Sequence, residues 1–136
     1  MEIWKDTFIK QIPKDEYTID LNNGEEEGLK IVLNGENDCH KVLLDFGAVS
    51  SYRLLDEGIV LNENLFNQDE VEKYKKDNFQ STIYRIENGE FSKFINDISN
   101  DMFDVYSMKH FIIITLNYVI EVVSSFEPTI KILNKE

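Results

Sequence analysis

Short apolar runs separated by turn signals follow one another through the first half of the chain. Residues 29–33 and 41–46 are rich in leucine and β-branched side chains and are joined by a short loop, a pattern that predicts a β-hairpin. Residues 50–55 alternate polar and apolar side chains well enough to predict a third strand. The Asp-Glu-Gly sequence at 56–58 then closes that strand.

Three Asn-Gly pairs mark turns along the chain, at 23–24, 34–35 and 88–89. Both residues of such a pair tolerate the positive φ angles that tight turns require. The spacing of the pairs is irregular, so they indicate turns rather than a repeat. The segment 3–12 predicts a further strand, although its alternation is poor, and Pro13 ends it.

The most apolar run is KHFIIITLNYVIEVVSSFEP, at residues 109–128. It divides near Asn117 into two predicted strands, 111–116 and 119–124. Both faces of the first are apolar, which is typical of a central strand covered on both sides. The apolar core of the run, 111–123, has only 13 residues with polar interruptions, whereas a membrane-spanning helix needs about 20. The run therefore predicts the interior of a soluble domain.

A first helix is predicted after Asn67, which with Glu70 forms a capping-box pattern. One side of this helix then carries Val71, Tyr74 and Phe79. The pattern predicts a short, mostly solvated helix.

A second helix has a clearer apolar stripe at helical spacing, formed by Phe91, Phe94, Ile95, Ile98 and Met102. Polar residues occupy the other face. We expect this stripe, with Phe94 buried, to pack face to face on strand 111–116. A strand at 81–86 precedes the helix, and 130–133 predicts an edge strand after Pro128.

These elements together predict an α+β fold, in which a mostly antiparallel sheet in meander order carries two main helices, one of them packed on the sheet. The chain has 136 residues, of which 42% are hydrophobic. A single domain spanning 1–136 can then bury about two-thirds of the surface that its unfolded chain exposes.

Net charge narrows the classes of partner. The chain has 26 acidic and 14 basic residues, a net charge of −12, which repels both phosphate backbones and anionic membrane surfaces. We therefore expect neither nucleic acid nor membrane as a partner. Two interpretations of the acidity stay open: it keeps the protein soluble, or an acidic face steers a basic partner.

The acidity is concentrated near the N-terminus. Residues 1–40 carry a net charge of −6, half of the total. Within them Glu25, Glu26 and Glu27 are consecutive and are flanked by two glycines, which predicts a loop tip with a strong local field. These three residues are the predicted partner-binding residues.

The chain has one cysteine, Cys39, so no intrachain disulfide can form. The first residues alternate too quickly between apolar and charged for a signal peptide. Both features predict a reducing, cytoplasmic environment. Cys39-His40 pairs a nucleophile with a base, but sequence neighbours usually point apart and no third group orients them. We expect an ordinary turn thiol there.

The sequence does not predict an enzyme, a cofactor or a metal site. It contains no phosphate-binding Gly-rich loop and no paired histidines at helical spacing. Asp20, Asn22 and Gly24 start like a calcium loop, but the glycine comes one position early and the twelfth position is not acidic. His110, at the start of a core strand, is expected to bond a backbone carbonyl rather than a metal.

One cluster of chemical interest remains, formed by Tyr52, Arg53, Asp56 and Glu57. It predicts either a structural ion pair at a strand end or an anion site. We expect a carboxylate partner for Arg53, because Asp56 and Glu57 lie within reach.

Three stretches resemble a known group: FGAVSSYRLLDEG at 46–58, IENGEFSKF at 86–94, and the apolar run at 109–128. Together they are similar to small Firmicutes proteins of the polymorphic-toxin immunity-protein type. The resemblance covers about residues 29–130. The matching positions are Phe46, Tyr52, Arg53, Glu57, Asn88, His110, Asn117, Glu121, Val122 and Pro128.

The resemblance implies a non-enzymatic cytoplasmic protein that neutralises a cognate toxin by direct binding. It carries no catalytic residue over to this chain, and in such a group the toxin varies between members. If the toxin is a basic nuclease domain, acids placed as phosphate mimics would promote both fast association and specificity. The alternative is a small ligand-binding or regulatory module with an anion site near Arg53.

Overall fold

A computed structural model of the chain describes residues 1–8, 10–37, 39–60 and 65–133. The strands of this described part are β1 Ile3–Asp6, β2 Tyr17–Gly24, β3 Gly28–Gly35, β4 Lys41–Gly47, β5 Ser51–Asp56, β6 Ile83–Glu87, β7 Lys109–Ile114, β8 Tyr118–Ser124 and β9 Thr129–Leu133. The helices are α1 Glu57–Val60, α2 Gln68–Lys75, α3 Glu90–Ile98 and α4 Met102–Val105. The fold is α+β and mostly antiparallel, as predicted.

The strands form two sheets rather than one. A five-stranded sheet has the order β1-β6-β7-β8-β5, and a four-stranded sheet has the order β2-β3-β4-β9. Every neighbouring pair of these strands is antiparallel. The main core lies between the sheets, since it contains Ile31 and Leu44 of the smaller sheet together with Phe111 and Val122 of the larger one.

Strand β7 is covered on both faces, as the sequence predicted. Phe111 and Ile113 belong to the core between the sheets, whereas Ile112 and Ile114 belong to a second core on the helix side. This division follows the two-residue period of a strand. The five-stranded sheet is therefore the middle layer, between the smaller sheet and the helices.

Helix α2 is anchored to the N-terminal strand. The ring of Trp4 stacks on that of Tyr74 with centroids 6.2 Å apart, and the Tyr74 hydroxyl donates to the Trp4 carbonyl at 3.1 Å. Asn67 caps the helix, because its side chain accepts from the Asp69 N–H. Glu70 does not complete a capping box, since its carboxylate accepts from the Trp4 N–H at 2.9 Å.

Helix α3 packs on the sheet through only part of the predicted stripe, and its apolar cluster contains Val123 of β8 but none of residues 111–116. Phe91 and Ile95 are buried against Val123, but Phe94 is 54% exposed and Ile98 is 65% exposed. The prediction that Phe94 is buried is therefore wrong. The apolar stripe is wider than the strip of helix that touches the sheet, and the outer part of the stripe faces solvent.

Three further expectations about strands need correction. β2 was not predicted, although Tyr17, Ile19 and Leu21 alternate with polar residues in the two-residue period of a strand. The N-terminal strand ends at Asp6, well before Pro13. The meander order is wrong, because β5 leaves the β3–β4 hairpin to pair with β8, and β1 pairs with β6.

Strand β9 lies at the edge of the smaller sheet, next to β4, as predicted. Within the described part of the chain, no helix has the length and apolar character required to cross a membrane.

Candidate binding surface and buried polar sites

The acidic turn, residues Glu25 to Glu27, joins β2 to β3 at the tip of their hairpin, and all three side chains are exposed. Glu27 lies 3.5 Å from the Lys30 ammonium, an exposed pair that adds little stability. The predicted loop tip is confirmed, and its carboxylates face solvent.

Gly28, which has a φ of +77°, lets the acidic turn lie close against the connection between β4 and β5. A Cβ at that position would lie 2.2 Å from the Gly47 backbone, so only glycine fits there. Beside the turn is a shallow groove of about 350 Å³, whose lining includes Glu25, Glu26, Ala48 and Val49.

A chain of contacts connects this groove to the helix side of the molecule. Ser50 follows Val49, and its hydroxyl donates to the Met108 sulfur at 3.4 Å. Met108 in turn packs with Phe91 and Ile95 of α3. The connection between β4 and β5, which lines the groove, is therefore linked to helix α3 through Met108.

A buried polar network occupies the helix side of the five-stranded sheet. The guanidinium of Arg53 donates from Nε to Oε2 of Glu121, its direct partner across β5 and β8. Nε2 of His110 lies 2.8 Å from the other carboxylate oxygen, Oε1. Glu121 and His110 are each 1% exposed, so this carboxylate is bound by two basic side chains inside the protein.

The Phe91 ring covers the network. The Arg53 guanidinium carbon lies 4.6 Å from the ring centroid, a cation–π distance, and the His110 ring meets it edge-on with centroids 5.8 Å apart. Because an ionised carboxylate only accepts, His110 Nε2 carries the hydrogen of the bond to Glu121. His110 Nδ1 has no hydrogen-bond partner among the described residues, and it abuts Gly89, where a Cβ would lie only 2.7 Å away.

The cluster of Tyr52, Arg53, Asp56 and Glu57 does not form one site. The predicted carboxylate partner of Arg53 is confirmed, but Glu121 of β8 supplies it rather than the sequence neighbours Asp56 or Glu57. Tyr52 packs toward the core between the sheets, on the opposite face from Arg53. The Glu57 N–H donates to the Asn117 carbonyl at 3.0 Å, where it starts α1.

Glu121 is the polar residue that sequence reasoning missed. The available signal was an ionisable residue within an apolar run, because a charge buried there requires partners. His110 provides one of them, so the expectation of a backbone carbonyl for His110 is also wrong.

A second polar pair lies on the loops of the smaller sheet. Oδ2 of Asp15 is 2.9 Å from Nδ1 of His40 and accepts from the Asn37 N–H at 3.0 Å. Burial raises the pKa of Asp15, but the bonds from Asn37, His40 and Glu16 outweigh it and hold that pKa below the ordinary 3.8.

Asp15 supplies the orienting group for His40 that the sequence did not reveal. Cys39 is nevertheless exposed in a turn, and its N–H donates to the Asn37 side chain. Among the described residues no hydrogen bond joins the Cys39 sulfur to His40, so the pair lacks the geometry of an activated nucleophile.

A small cavity of about 260 Å³ opens next to Asp15, and its lining includes side chains of both signs, such as Glu57 and Lys75. Burial, followed by the nearby Asp15 carboxylate, raises the pKa of Tyr17 to about 12, so this hydroxyl stays protonated at neutral pH. It donates to the Pro13 carbonyl, which makes it a structural group. Over the described residues no group of three or more His, Cys, Asp or Glu side chains could hold a metal ion.

Comparison with family models, with curated proteins and with solved structures finds no match for this chain.

Proposed function

We propose that this chain is a non-enzymatic binding protein of the cytoplasm that neutralises a cognate bacterial toxin by direct contact. The observation that carries the proposal is the acidic turn, where Glu25 and Glu26 extend into solvent beside a groove. Exposed charges of one sign accelerate association with a partner of the opposite sign and select against like-charged surfaces.

The chemistry of the polar groups supports a binding role over catalysis. Arg53 and His110 both bind Glu121 beneath Phe91, and in the described part of the chain no nucleophile is aligned with the His40–Asp15 pair. A basic toxin, such as a nuclease domain that binds phosphate, suits a chain of net charge −12. The alternative of an anion site near Arg53 is less well supported, because the Glu121 carboxylate already binds that guanidinium.

The test uses the reading frame next to this gene. Expression of that frame alone is expected to arrest bacterial growth, and coexpression of this chain is expected to restore it. The purified proteins should then co-elute at a fixed stoichiometry. Absence of toxicity, or toxicity that this chain does not relieve, would contradict the proposal.

A variant in which Cys39 is replaced by Ala provides a control for catalysis in the same assay. A binding mechanism predicts that Cys39→Ala protects as well as the wild type. Loss of protection with retained complex formation would indicate that chemistry at Cys39 contributes.

A further inference from the structure

The cavity of about 260 Å³ next to Asp15 is built around the turn between β7 and β8, residues 115–117. Backbone bonds from the end of β7 and from this turn reach three separate segments, at Tyr17, Glu57 and Thr82, with N···O distances of 2.9, 3.0 and 2.8 Å. All three of these residues line the cavity. The bonds therefore fix its walls relative to one another, and we call it the turn cavity.

The charges that line the turn cavity are mostly negative. Its walls contain the carboxyl groups of Asp15, Glu16 and Glu57 and one ammonium group, that of Lys75. The lowered pKa of Asp15 keeps its carboxyl group ionised at neutral pH. Lys75 is the last residue of α2, so the negative end of that helix dipole also lies at the wall. The turn cavity therefore attracts a cation.

A buried hydroxyl without a partner also opens into the turn cavity. Thr82 is 2% exposed, and its hydroxyl forms no hydrogen bond within the described part of the chain. Unpartnered atoms that are fully enclosed occur elsewhere, such as His110 Nδ1, but this oxygen is not one of them. The exposed fraction of Thr82 therefore includes the hydroxyl, at the cavity wall. A donor in the cavity would offset the cost of burying it without a hydrogen bond.

The wall that carries Thr82 has an uncommon backbone conformation. Asn78, Phe79 and Thr82 have φ angles of +58°, +52° and +63°, and all three line the turn cavity. A β-branched residue such as threonine rarely adopts a positive φ. Residues held in such conformations cluster at ligand-binding sites, so the strain is consistent with a binding role for this wall.

The arrangement of the acceptors selects the kind of cation. Among the described residues, the carboxylates of the turn cavity do not form a group that could hold a metal ion, so they are too dispersed for one small ion. A guanidinium group is planar and weakly hydrated, has five N–H donors and stacks on aromatic rings. These properties suit separated oxygen acceptors and an aromatic residue, Phe79, in the same cavity. A lysine ammonium is a compact, strongly hydrated point charge and suits them less.

We propose that the turn cavity binds a guanidinium group, the side chain of an arginine that a basic partner protein presents. Arginine is enriched among the residues that dominate interface energetics, which typically fill pockets of the partner. The inference adds an anchoring residue to the proposed binding role and rests on that role, but its test does not use the toxin.

The test uses Nα-acetyl-arginine methylamide as the probe and Nα-acetyl-citrulline methylamide as the matched control, because citrulline has nearly the same shape without the charge. Binding is measured by backbone amide shifts of the isotope-labelled protein. The arginine compound is expected to bind in the millimolar range, with the largest shifts at residues 57, 78–82 and 114–116. The citrulline compound should bind at least about tenfold more weakly.

Two variants remove single acceptors from the turn cavity. Glu57→Gln should weaken the arginine compound about threefold to fivefold, the range for a partly exposed ion pair. Thr82→Val keeps the shape of the side chain and should weaken it about threefold. The matched control is Glu127→Gln, at an exposed position beyond the opposite end of β8, which should leave binding unchanged. The amide spectrum of each variant shows whether it is folded.

Four results would overturn the proposal. They are equal binding of the arginine and citrulline compounds, shifts centred on the acidic turn instead of the turn cavity, full binding by folded Glu57→Gln, and free arginine binding more than about tenfold tighter than the blocked compound. The last result would identify a small molecule as the ligand instead of a side chain. None of these results bears on the growth assay, so failure of this inference and failure of the proposed function are distinguishable.

Discussion

At the scale of single residues, the buried carboxylate of Glu121 organises the helix side of the sheet. It binds Arg53 from one neighbouring strand and His110 from the other, and Phe91 closes over both. A buried ion pair is often no more stabilising than apolar residues of the same volume, but removal of one member leaves a charge without its partner. The network is therefore sensitive to single substitutions.

We predict that Arg53→Ala lowers the free energy of unfolding by about 3 kcal/mol, toward the lower end of the range for a broken buried pair. The lower end applies because 27% of the Arg53 side chain is exposed and water can enter. Urea denaturation measures the effect. Arg85→Ala, at a half-buried position of β6, is the control, with an expected change within about 0.5 kcal/mol.

The stability loss in Arg53→Ala should exceed any loss of partner binding. If partner binding disappeared while the urea midpoint stayed unchanged, Arg53 would be a site residue and the structural interpretation of the network would fail.

The lowered pKa of Asp15 makes the stability of the protein depend on pH. Its folded pKa lies below the ordinary 3.8, so its stabilising contribution is complete above about pH 5 and decreases as the pH falls through the folded pKa. The stability difference between wild type and Asp15→Asn should therefore shrink in acid. Denaturation curves from neutral pH down to about pH 3 check this.

The control for the acid series is Asp97→Asn, at an exposed position of α3, whose difference from wild type should stay small throughout. If the difference in unfolding free energy between wild type and Asp15→Asn grew as the pH fell, the pKa of Asp15 in the folded protein would not be lowered.

At the scale of elements, helix α3 shows how an apolar stripe can be divided between core and surface. Phe91 and Ile95 pack on the sheet, while Phe94 and Ile98 lie outside that contact. At the N-cap, Gly89 lies directly against the His110 ring and leaves no space for a side chain. Periodicity identifies the helix but does not fix how the helix is rotated against the sheet.

The two phenylalanines of α3 give a matched comparison. Phe91→Ala should cost about 3 to 5 kcal/mol, because Phe91 is 5% exposed and its loss leaves a cavity over Arg53 and His110. Phe94→Ala should change stability by less than about 0.5 kcal/mol. Thermal or urea unfolding measures the stability of both variants. Equal losses of stability would show that Phe94 is buried in solution.

At the scale of the whole molecule, an excess of acidic residues affects both solubility and the rate of association with charged partners. The acidic turn lies in solvent at the tip of the β2–β3 hairpin, whereas the two cores occupy the layers between sheets and helices. Charges at an interface rim act mainly on the association rate, and salt screens them over about 8 to 10 Å.

We predict that replacement of Glu25, Glu26 and Glu27 by Gln slows association with the cognate partner severalfold at low salt and leaves dissociation nearly unchanged. The difference should disappear as salt is raised. Surface plasmon resonance or stopped-flow fluorescence at several salt concentrations measures both rates.

A charge-matched control neutralises three acids near α2, Asp69, Glu72 and Asp77, which are all exposed. This control should leave the association rate close to wild type. Association rates that respond to neither substitution nor salt would mean that the acidic turn is only a solvated loop.

The sequence alone indicated most of the strands and the two longer helices, because these depend on local periodicity and turn chemistry. The split of the apolar run near Asn117, the β3–β4 hairpin, the cap at Asn67 and the exposed acidic turn were all predictable in this way. The missed strand β2 also has a local signal, in the alternation from Tyr17 to Leu21.

Tertiary structure decided everything that depends on contacts between distant residues. Three such contacts join positions far apart in the chain. They are the pairing of β1 with β6, the pairing of β5 with β8 in the larger sheet, and the ion pair of Arg53 with Glu121. A residue's own pattern carries no information about which strand will lie beside it. For the same reason Phe94 could be recognised as apolar but not as exposed, since its exposure depends on how α3 meets the sheet.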